Sequence, residues 1–489
     1  MSERGRIDTG AAPFVAGLVV VALVAFADGG YFRETWAWAT IALSCLAGLA
    51  LLLRERIAVS WPDLAMLSAL AAFVGWVALS AAWSSFPSES LLEAERGLVY
   101  VAALLAFELV VPREHVRQLL AGIASGATLV AVSSLGARLV WAQPVEVDPI
   151  QGSRLIEPLG YANALGILAA VGLVLALGLA VRGPGRLERA LAAAAAIPLI
   201  ATVTWTESRG TALALLVGLG VFAFLDSRRS SLLATALVLA GPAAVAVWLT
   251  ARSSVLTEAG GATVDESPEA GLGLALGLGA LALASALSSF GAEWVEARLA
   301  RSRRSARPLL GGLALALLGA VALAALRADR PLGPRFDYWG VAWRQWEENP
   351  WLGSGAGTFF AYWQREERPV DVLDAHSLYV ETLAELGPVG LGLLLCALGL
   401  PLVAGARSRH PLAAVAAGGY TAYLVHAGLD WDWEMPAVTL TGLLCGVALL
   451  AVGRDDRSQI AIAGRGRLGL AIAAGILAAA ALGAAAFPR

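Results

Sequence analysis

Lysine is absent: all 35 basic residues in the 489-residue chain are arginine. With the excess of alanine and glycine, this reflects codon composition rather than function. Charge of either sign is scarce, at 15% of the chain, whereas a soluble globular domain carries about 25%. Cysteine is limited to Cys45, Cys396 and Cys445, each inside an apolar segment. That placement argues against a disulfide framework and against a cysteine metal site. The chain also lacks the alternation of apolar and polar residues that a membrane barrel requires. The net charge of −3 says little by itself; its distribution says more.

What is present is a recurring apolar run. Hydrophobic residues make up 58% of the chain and mean hydropathy is +0.71. Stretches of about 17–25 apolar residues, each long enough to cross a hydrocarbon core as a helix, follow one another with short polar connections. In lipid the backbone must satisfy its own hydrogen bonds, so these runs are helices. The expected class is all-α, a polytopic membrane bundle of about fifteen spans. Spans are expected near 11–27, 34–53, 62–82, 91–111, 116–140, 160–181, 188–206, 208–225, 231–250, 270–290, 308–326, 387–404, 411–428, 436–452 and 468–486. The organisation is N-terminal helices over 1–326, a large loop over 327–386 and C-terminal helices over 387–489. Arg4 and Arg6 before an apolar run ending Ala25-Phe26-Ala27 imitate a signal peptide; the arginine pattern uses this run as an uncleaved first helix.

Arginine alternates between connections. Arg54/Arg56, Arg113/Arg117, Arg182/Arg186/Arg189, Arg228/Arg229, Arg298 to Arg307, Arg407/Arg409 and Arg454 to Arg467 fall on the side of the N-terminus. The positive-inside rule makes that side cytoplasmic. The segments 141–158, 251–268, 327–385 and 427–435 are then extracytoplasmic, in a cytoplasmic (inner) cell membrane. Arg33, Arg154, Arg209 and Arg252 oppose that bias. Arg209 sits between two apolar runs with almost no loop, and an ionisable group there is a functional candidate.

The large loop reads as a folded cap. Trp339, Trp343 and Trp346 have helical spacing and fall on one face, which suits an interfacial anchor or a sugar-stacking surface. Asn349-Pro350 ends that helix, and Gly353-x-Gly355-x-Gly357 reads as a flexible turn. No strand or βαβ context makes it a dinucleotide fingerprint. Asp374 resembles an N-cap that would place His376 in the first helical turn. The helix dipole there would keep the imidazole neutral, able to accept a proton near pH 7. Tyr379 and Val380 share its helix face. Glu385 lies half a turn away and reads as structural, near the bend at Gly387-Pro388. Asp430, Asp432 and Glu434 alternate with tryptophans on the outer side, either as a substrate or metal site or as a solvated interfacial loop. The loop acids Glu366, Glu367 and Asp371 read as solvated.

The order Arg335, Trp343, Asn349-Pro350, Gly353-x-Gly355-x-Gly357, His376 and Glu385-Leu386-Gly387-x-x-Gly390-Leu391 resembles the signature of the O-antigen ligase/polymerase superfamily. Arg154 with Gly160-Tyr161-Ala162-Asn163-Ala164, Ser208-Arg209-Gly210 and Trp83-Ser84-Ser85-Phe86-Pro87 resemble its upstream segments, in the same order. Ser377 stands where many members carry Asn. The resemblance implies a GT-C membrane glycosyltransferase, metal-independent and without a cofactor, that moves a glycan from a polyprenyl-diphosphate carrier to a hydroxyl on a glycan, lipid or protein. It implies Arg209 and Arg335 on the diphosphate with Arg154 as a third, His376 as general base, and inversion at the sugar. Asn163 and Tyr379 are further substrate or structural candidates, and no nucleic acid is involved. A polymerase of the same superfamily shares this chemistry. A flippase of lipid-linked sugars or a membrane scaffold would need neither the cap nor its histidine.

Overall fold

The computed structural model describes residues 10–54, 57–141, 151–253, 267–301, 334–367, 370–454, 459–462 and 464–486. Among these residues the chain is helical nearly throughout. In chain order the helices are α1 (Ala11–Ala25), α2 (Arg33–Leu53), α3 (Trp61–Ser80), α4 (Pro87–Val110), α5 (Val116–Leu139), α6 (Ala162–Arg182), α7 (Arg186–Trp205), α8 (Arg209–Leu225), α9 (Arg229–Ala251), α10 (Pro268–Ser289) and α11 (Ala292–Arg301). They continue as α12 (Arg335–Glu348), α13 (Phe359–Gln364), α14 (Leu378–Arg407), α15 (Ala413–Ala427), α16 (Pro436–Gly453) and α17 (Arg465–Ala486). Every expected span outside 308–326 coincides with one of these helices; 308–326 lies outside the described residues. Among the described residues ten helices are long and apolar enough to cross a membrane, fewer than the expected fifteen, and α1 and α8 are shorter apolar helices. The protein is a multi-pass membrane protein.

The sequence shows why the helices begin where they do. Ser60 and Asp63 form a reciprocal capping box at the start of α3, with Pro62 in the first turn. Ser208 caps α8 by accepting from Thr211 N at 3.2 Å. Two extended pieces escaped the apolar reading because they lie in the polar connections: β1 (Ala58–Ser60) pairs antiparallel with β2 (Gln459–Ala461), Val59 opposite Ile460.

The chain divides into two units. The first comprises 1–29, 117–327 and 411–423; the second comprises 30–116, 328–410 and 424–489. In the first, α6 packs against α7, α8 and α9, and 94% of its apolar window is buried, against 17% for α10. In the second, α16 is buried to the same 94%, whereas α17, packed on α2 and α4, is buried to only 11%. Apolar helices left this bare of protein are covered by lipid.

Each unit holds a buried guanidinium–carboxylate clamp. Arg182 at the end of α6 donates to both oxygens of Asp226, at 3.1 and 2.7 Å. Arg454, just past α16, donates to both oxygens of Asp63 at 3.0 and 3.1 Å and to Val111 O at 2.6 Å. The bidentate fork matches the carboxylate geometrically. Removing one partner strands a buried charge, so Asp63→Ala is expected to cost about 3–5 kcal/mol and the double variant Asp63→Ala/Arg454→Met to recover most of it. Thermal unfolding of the detergent-solubilised variants checks both.

Candidate functional site

The site is built around a break in a helix. Inside α14, Gly387 has φ 65° and ψ −172°, and Pro388 follows with no N–H to offer the preceding turn. The carbonyls so released find other donors. Ser354 N donates to Ala384 O at 3.3 Å, Gly355 N to Glu385 O at 2.8 Å, and Trp76 Nε1 to Leu386 O at 3.0 Å. Gly353 and Gly387 let the two backbones meet. A Cβ on Gly387 would lie 2.3 Å from Trp351 O, and one on Gly353 2.2 Å from Glu385 O. The expected flexible turn is therefore a pinned one, because its glycines are spent on backbone approach.

Glu385 completes the seam. Its carboxylate accepts from the backbone N–H groups of Gly357, Thr358 and Phe359 at 2.8, 2.7 and 2.8 Å, satisfying the orphan donors at the start of α13. Ser80 and Ser90 clasp the same loop through Ala356 N and O, at 3.1 and 2.7 Å. On this base the cap packs a core of Tyr338, Val341, Ala342, Phe359, Trp363, Val372, Ala375 and Ala384. Trp339 and Trp346 are partly buried against that core and Trp343 is exposed, so the three indoles do not form one bare face.

His376 lies in the turn that enters α14. Helix geometry begins only at Leu378, and Ser377 is the N-cap, without a side-chain cap bond. His376 is therefore not in the first helical turn, as the Asp374-to-Tyr379 pattern suggested. It has φ 52°, a left-handed conformation that costs a non-glycine residue about 1–2 kcal/mol. Asp374 caps no helix; it makes an Asx-turn. Its Oδ1 accepts from His376 N at 3.0 Å and lies 2.7 Å from His376 Nδ1. A carboxylate can only accept, so the Nδ1 proton is fixed there and Nε2 is the basic nitrogen. Among the described residues Nε2 has no hydrogen-bond partner, and the imidazole is 19% exposed. Its ring lies 4.7 Å from that of Tyr338.

The expectation of an unassisted neutral imidazole gives way to a different electrostatic balance. Burial works against the charged form, but the hydrogen bond and charge of Asp374, with Asp430 beyond, outweigh it. The pKa of His376 stands above its ordinary 6.5, with Arg335 opposing the rise. Arg335 itself opens α12. It donates through Nε to Leu429 O and through a terminal nitrogen to Asp430 Oδ2 at 2.7 Å. Asp430 and Asp432 are 0% exposed, so neither belongs to a solvated loop. Asp432 lies 3.2 Å from His426 Nδ1, and the turn packs on α16. The Tyr379 hydroxyl donates to Leu424 O at 2.9 Å.

Arg335, His376, Tyr379, Glu385, Asp430 and Asp432 thus share the second unit. Arg154, Asn163 and Arg209 belong to the first. There Leu155 N donates to Trp205 O at 3.3 Å, which lays the segment carrying Arg154 along the turn that precedes Arg209. Arg154 Nε donates to Gln151 O at 2.8 Å, and Asn163 Nδ2 to the Tyr161 hydroxyl at 2.8 Å. Glu207, two residues before exposed Arg209, is left-handed at φ 48°.

Sequence reasoning missed one charged group. Arg96, inside α4, is buried between Glu93 and Glu434, 2.8 Å from the latter, and its guanidinium lies 5.6 Å from the rings of both Trp36 and Trp433. The signal was available: a Glu-x-Glu-Arg cluster within an otherwise apolar span.

Residues 193–395 match the family described as O-antigen ligase. That segment includes Arg209, Arg335, His376 and Glu385. A search among curated proteins gave no match.

The seam makes a prediction. Glu385→Ala leaves three backbone donors unmet, and each buried unsatisfied group costs about 1–3 kcal/mol. The variant is expected to lose cap stability, seen as a lower unfolding temperature and faster proteolysis within 353–367, whereas His376→Ala, which leaves the seam intact, should not speed proteolysis within 353–367.

Proposed function

We propose that this chain, whose residues 193–395 match the family described as O-antigen ligase, transfers a glycan from a polyprenyl-diphosphate carrier to an acceptor hydroxyl at the extracytoplasmic face of the cytoplasmic membrane. The observation that carries this reading is the Asp374–His376 pair, with Nδ1 held at 2.7 Å and Nε2 open to a substrate, inside the matched segment and beside a tethered arginine.

In this reaction the acceptor oxygen attacks the anomeric carbon and gives its proton to His376 Nε2. The bond from the anomeric carbon to the diphosphate oxygen breaks, and polyprenyl diphosphate departs with the electron pair. The sugar configuration inverts. Asp374 orients the ring and stabilises the imidazolium that forms, as an aspartate does behind a catalytic histidine. Arg335, fixed by Asp430, supplies positive potential where negative charge develops on the leaving group. Arg209 and Arg154 take the diphosphate oxygens in this reading. The argument for them is chemical: guanidinium binds phosphate oxygens in a fork and keeps its charge.

Loss of a general base costs about 10²–10⁴-fold in rate. His376→Ala should therefore lose transfer to that extent in membranes while remaining folded; undiminished transfer would overturn the base assignment.

The pH dependence follows from the sign of the shift. The base acts unprotonated and its folded pKa lies above 6.5, so transfer should rise with pH through a value above 6.5. Asp374→Asn removes the carboxylate that does most to hold the pKa up, leaving Asp430. The acid limb should move to lower pH while the plateau rate falls. Linkage runs the same way: the Asp374–His376 contribution to stability is full below the unfolded pKa and fades as pH rises through the folded one.

A further inference from the structure

Within the second unit a cavity of about 460 Å³ opens beside the His376 turn, within the range of small-molecule sites, about 300–1,000 Å³. Its wall combines two kinds of side chain. Tyr31, Phe32 and Phe360 supply ring faces, and Glu89, Glu93, Glu95, Glu381 and Glu434 supply carboxyl groups against only two guanidinium groups, Arg33 and Arg96. Both cations already hold carboxylates: Arg33 lies 2.8 Å from Glu95, and Arg96 bridges Glu93 and Glu434.

Glu381 points to what enters. It is 5% exposed and lines the cavity. Its Oε2 accepts from Ala375 N at 2.6 Å, the residue between Asp374 and His376. Its Oε1 has no hydrogen-bond donor among the described residues. A carboxylate oxygen that lines a cavity without a donor takes one from what enters it. A metal ion does not fit: among the described residues no group of three or more His, Cys, Asp or Glu is placed to hold one. A diphosphate would face surplus carboxylates with both guanidinium groups engaged. An uncharged sugar fits both halves of the wall, since its hydroxyls donate to carboxylates and its C–H face packs on aromatic rings.

We propose that this cavity is the acceptor subsite, and that it holds an uncharged pyranose whose hydroxyl donates to Glu381 Oε1 while its ring lies on Tyr31, Phe32 or Phe360. The word acceptor rests on the transferase reading above; the binding of a neutral sugar does not. The geometry explains why the cavity carries no spare cation: donor and acceptor are sorted by charge, the anionic diphosphate excluded from one side of the reaction. Because Glu381 also holds Ala375, occupancy of the subsite and alignment of the His376 turn depend on one carboxylate.

The test uses the full-length protein in a non-glycosidic detergent, with glucose and N-acetylglucosamine as probes and saturation-transfer NMR as readout. At least one of these sugars should give a saturable signal that inorganic pyrophosphate does not displace and that persists in His376→Ala. Glu381→Gln should weaken it about tenfold, the loss expected for one hydrogen bond. Ser88→Trp, at an exposed position of the cavity wall, should abolish it by filling the space without touching an ion pair. In the transfer assay Glu381→Gln should raise the acceptor KM and leave the donor KM unchanged. Absence of any saturable sugar signal, displacement by pyrophosphate, or a signal that survives Ser88→Trp would overturn the subsite. Undiminished transfer by His376→Ala would instead overturn the transferase reading and leave the sugar-binding result standing.

Discussion

The break at Gly387-Pro388 is the constraint on which the rest of the second unit depends. A helix interrupted near lipid releases carbonyls that water cannot reach, and each would cost several kcal/mol unmet. Here the answer is local and complete: the glycine-rich loop and the Trp76 indole take all three carbonyls. Once that loop is fixed, the Glu385 carboxylate can gather the amides at the start of α13. The core of Tyr338, Phe359, Trp363 and Ala375 then closes over it, and the turn carrying His376 is held between this core and α14. The chemistry of the imidazole is downstream of a backbone accounting problem two helical turns away.

Charge is organised in the same strict manner. Arg182 and Arg454 are locked on buried aspartates and serve as clamps. Arg96 is shared between two glutamates and two indoles. Arg335 is tethered by Asp430 but remains close enough to bias His376. Arginine is the only strong cation in this chain, so its roles are set by what each guanidinium is bound to rather than by residue type. The same holds for the acids. Asp374 and Asp430 support the histidine, Glu385 serves the backbone, and Glu381 holds Ala375 N with one oxygen and lines the cavity.

The membrane helices were legible because length and apolarity alone decide them. The bend at Gly387-Pro388 was legible too, as a local dipeptide effect, but the donors that repair it were not, since Ser354, Gly355 and Trp76 are distant in sequence. His376 stood out by rarity and by its setting. Its true conformation did not, because a three-residue Asx-turn has no period to read and the Asp374 pattern fits a helix cap equally well. Asp430 and Asp432 misled for a related reason: alternating acids and tryptophans read as an interfacial loop, and only tertiary packing shows the acids buried. The Glu381 oxygen and its cavity have no sequence signature at all.

Asp374 and His376 are separated by a single residue, so the proposed proton acceptor and the group that orients it ride on one tripeptide. In enzymes whose acid and base come from distant segments, any shift between those segments spoils the alignment. Here any displacement of the turn carries both partners as one body, because three residues of backbone set the 2.7 Å spacing between the Asp374 carboxylate and His376 Nδ1.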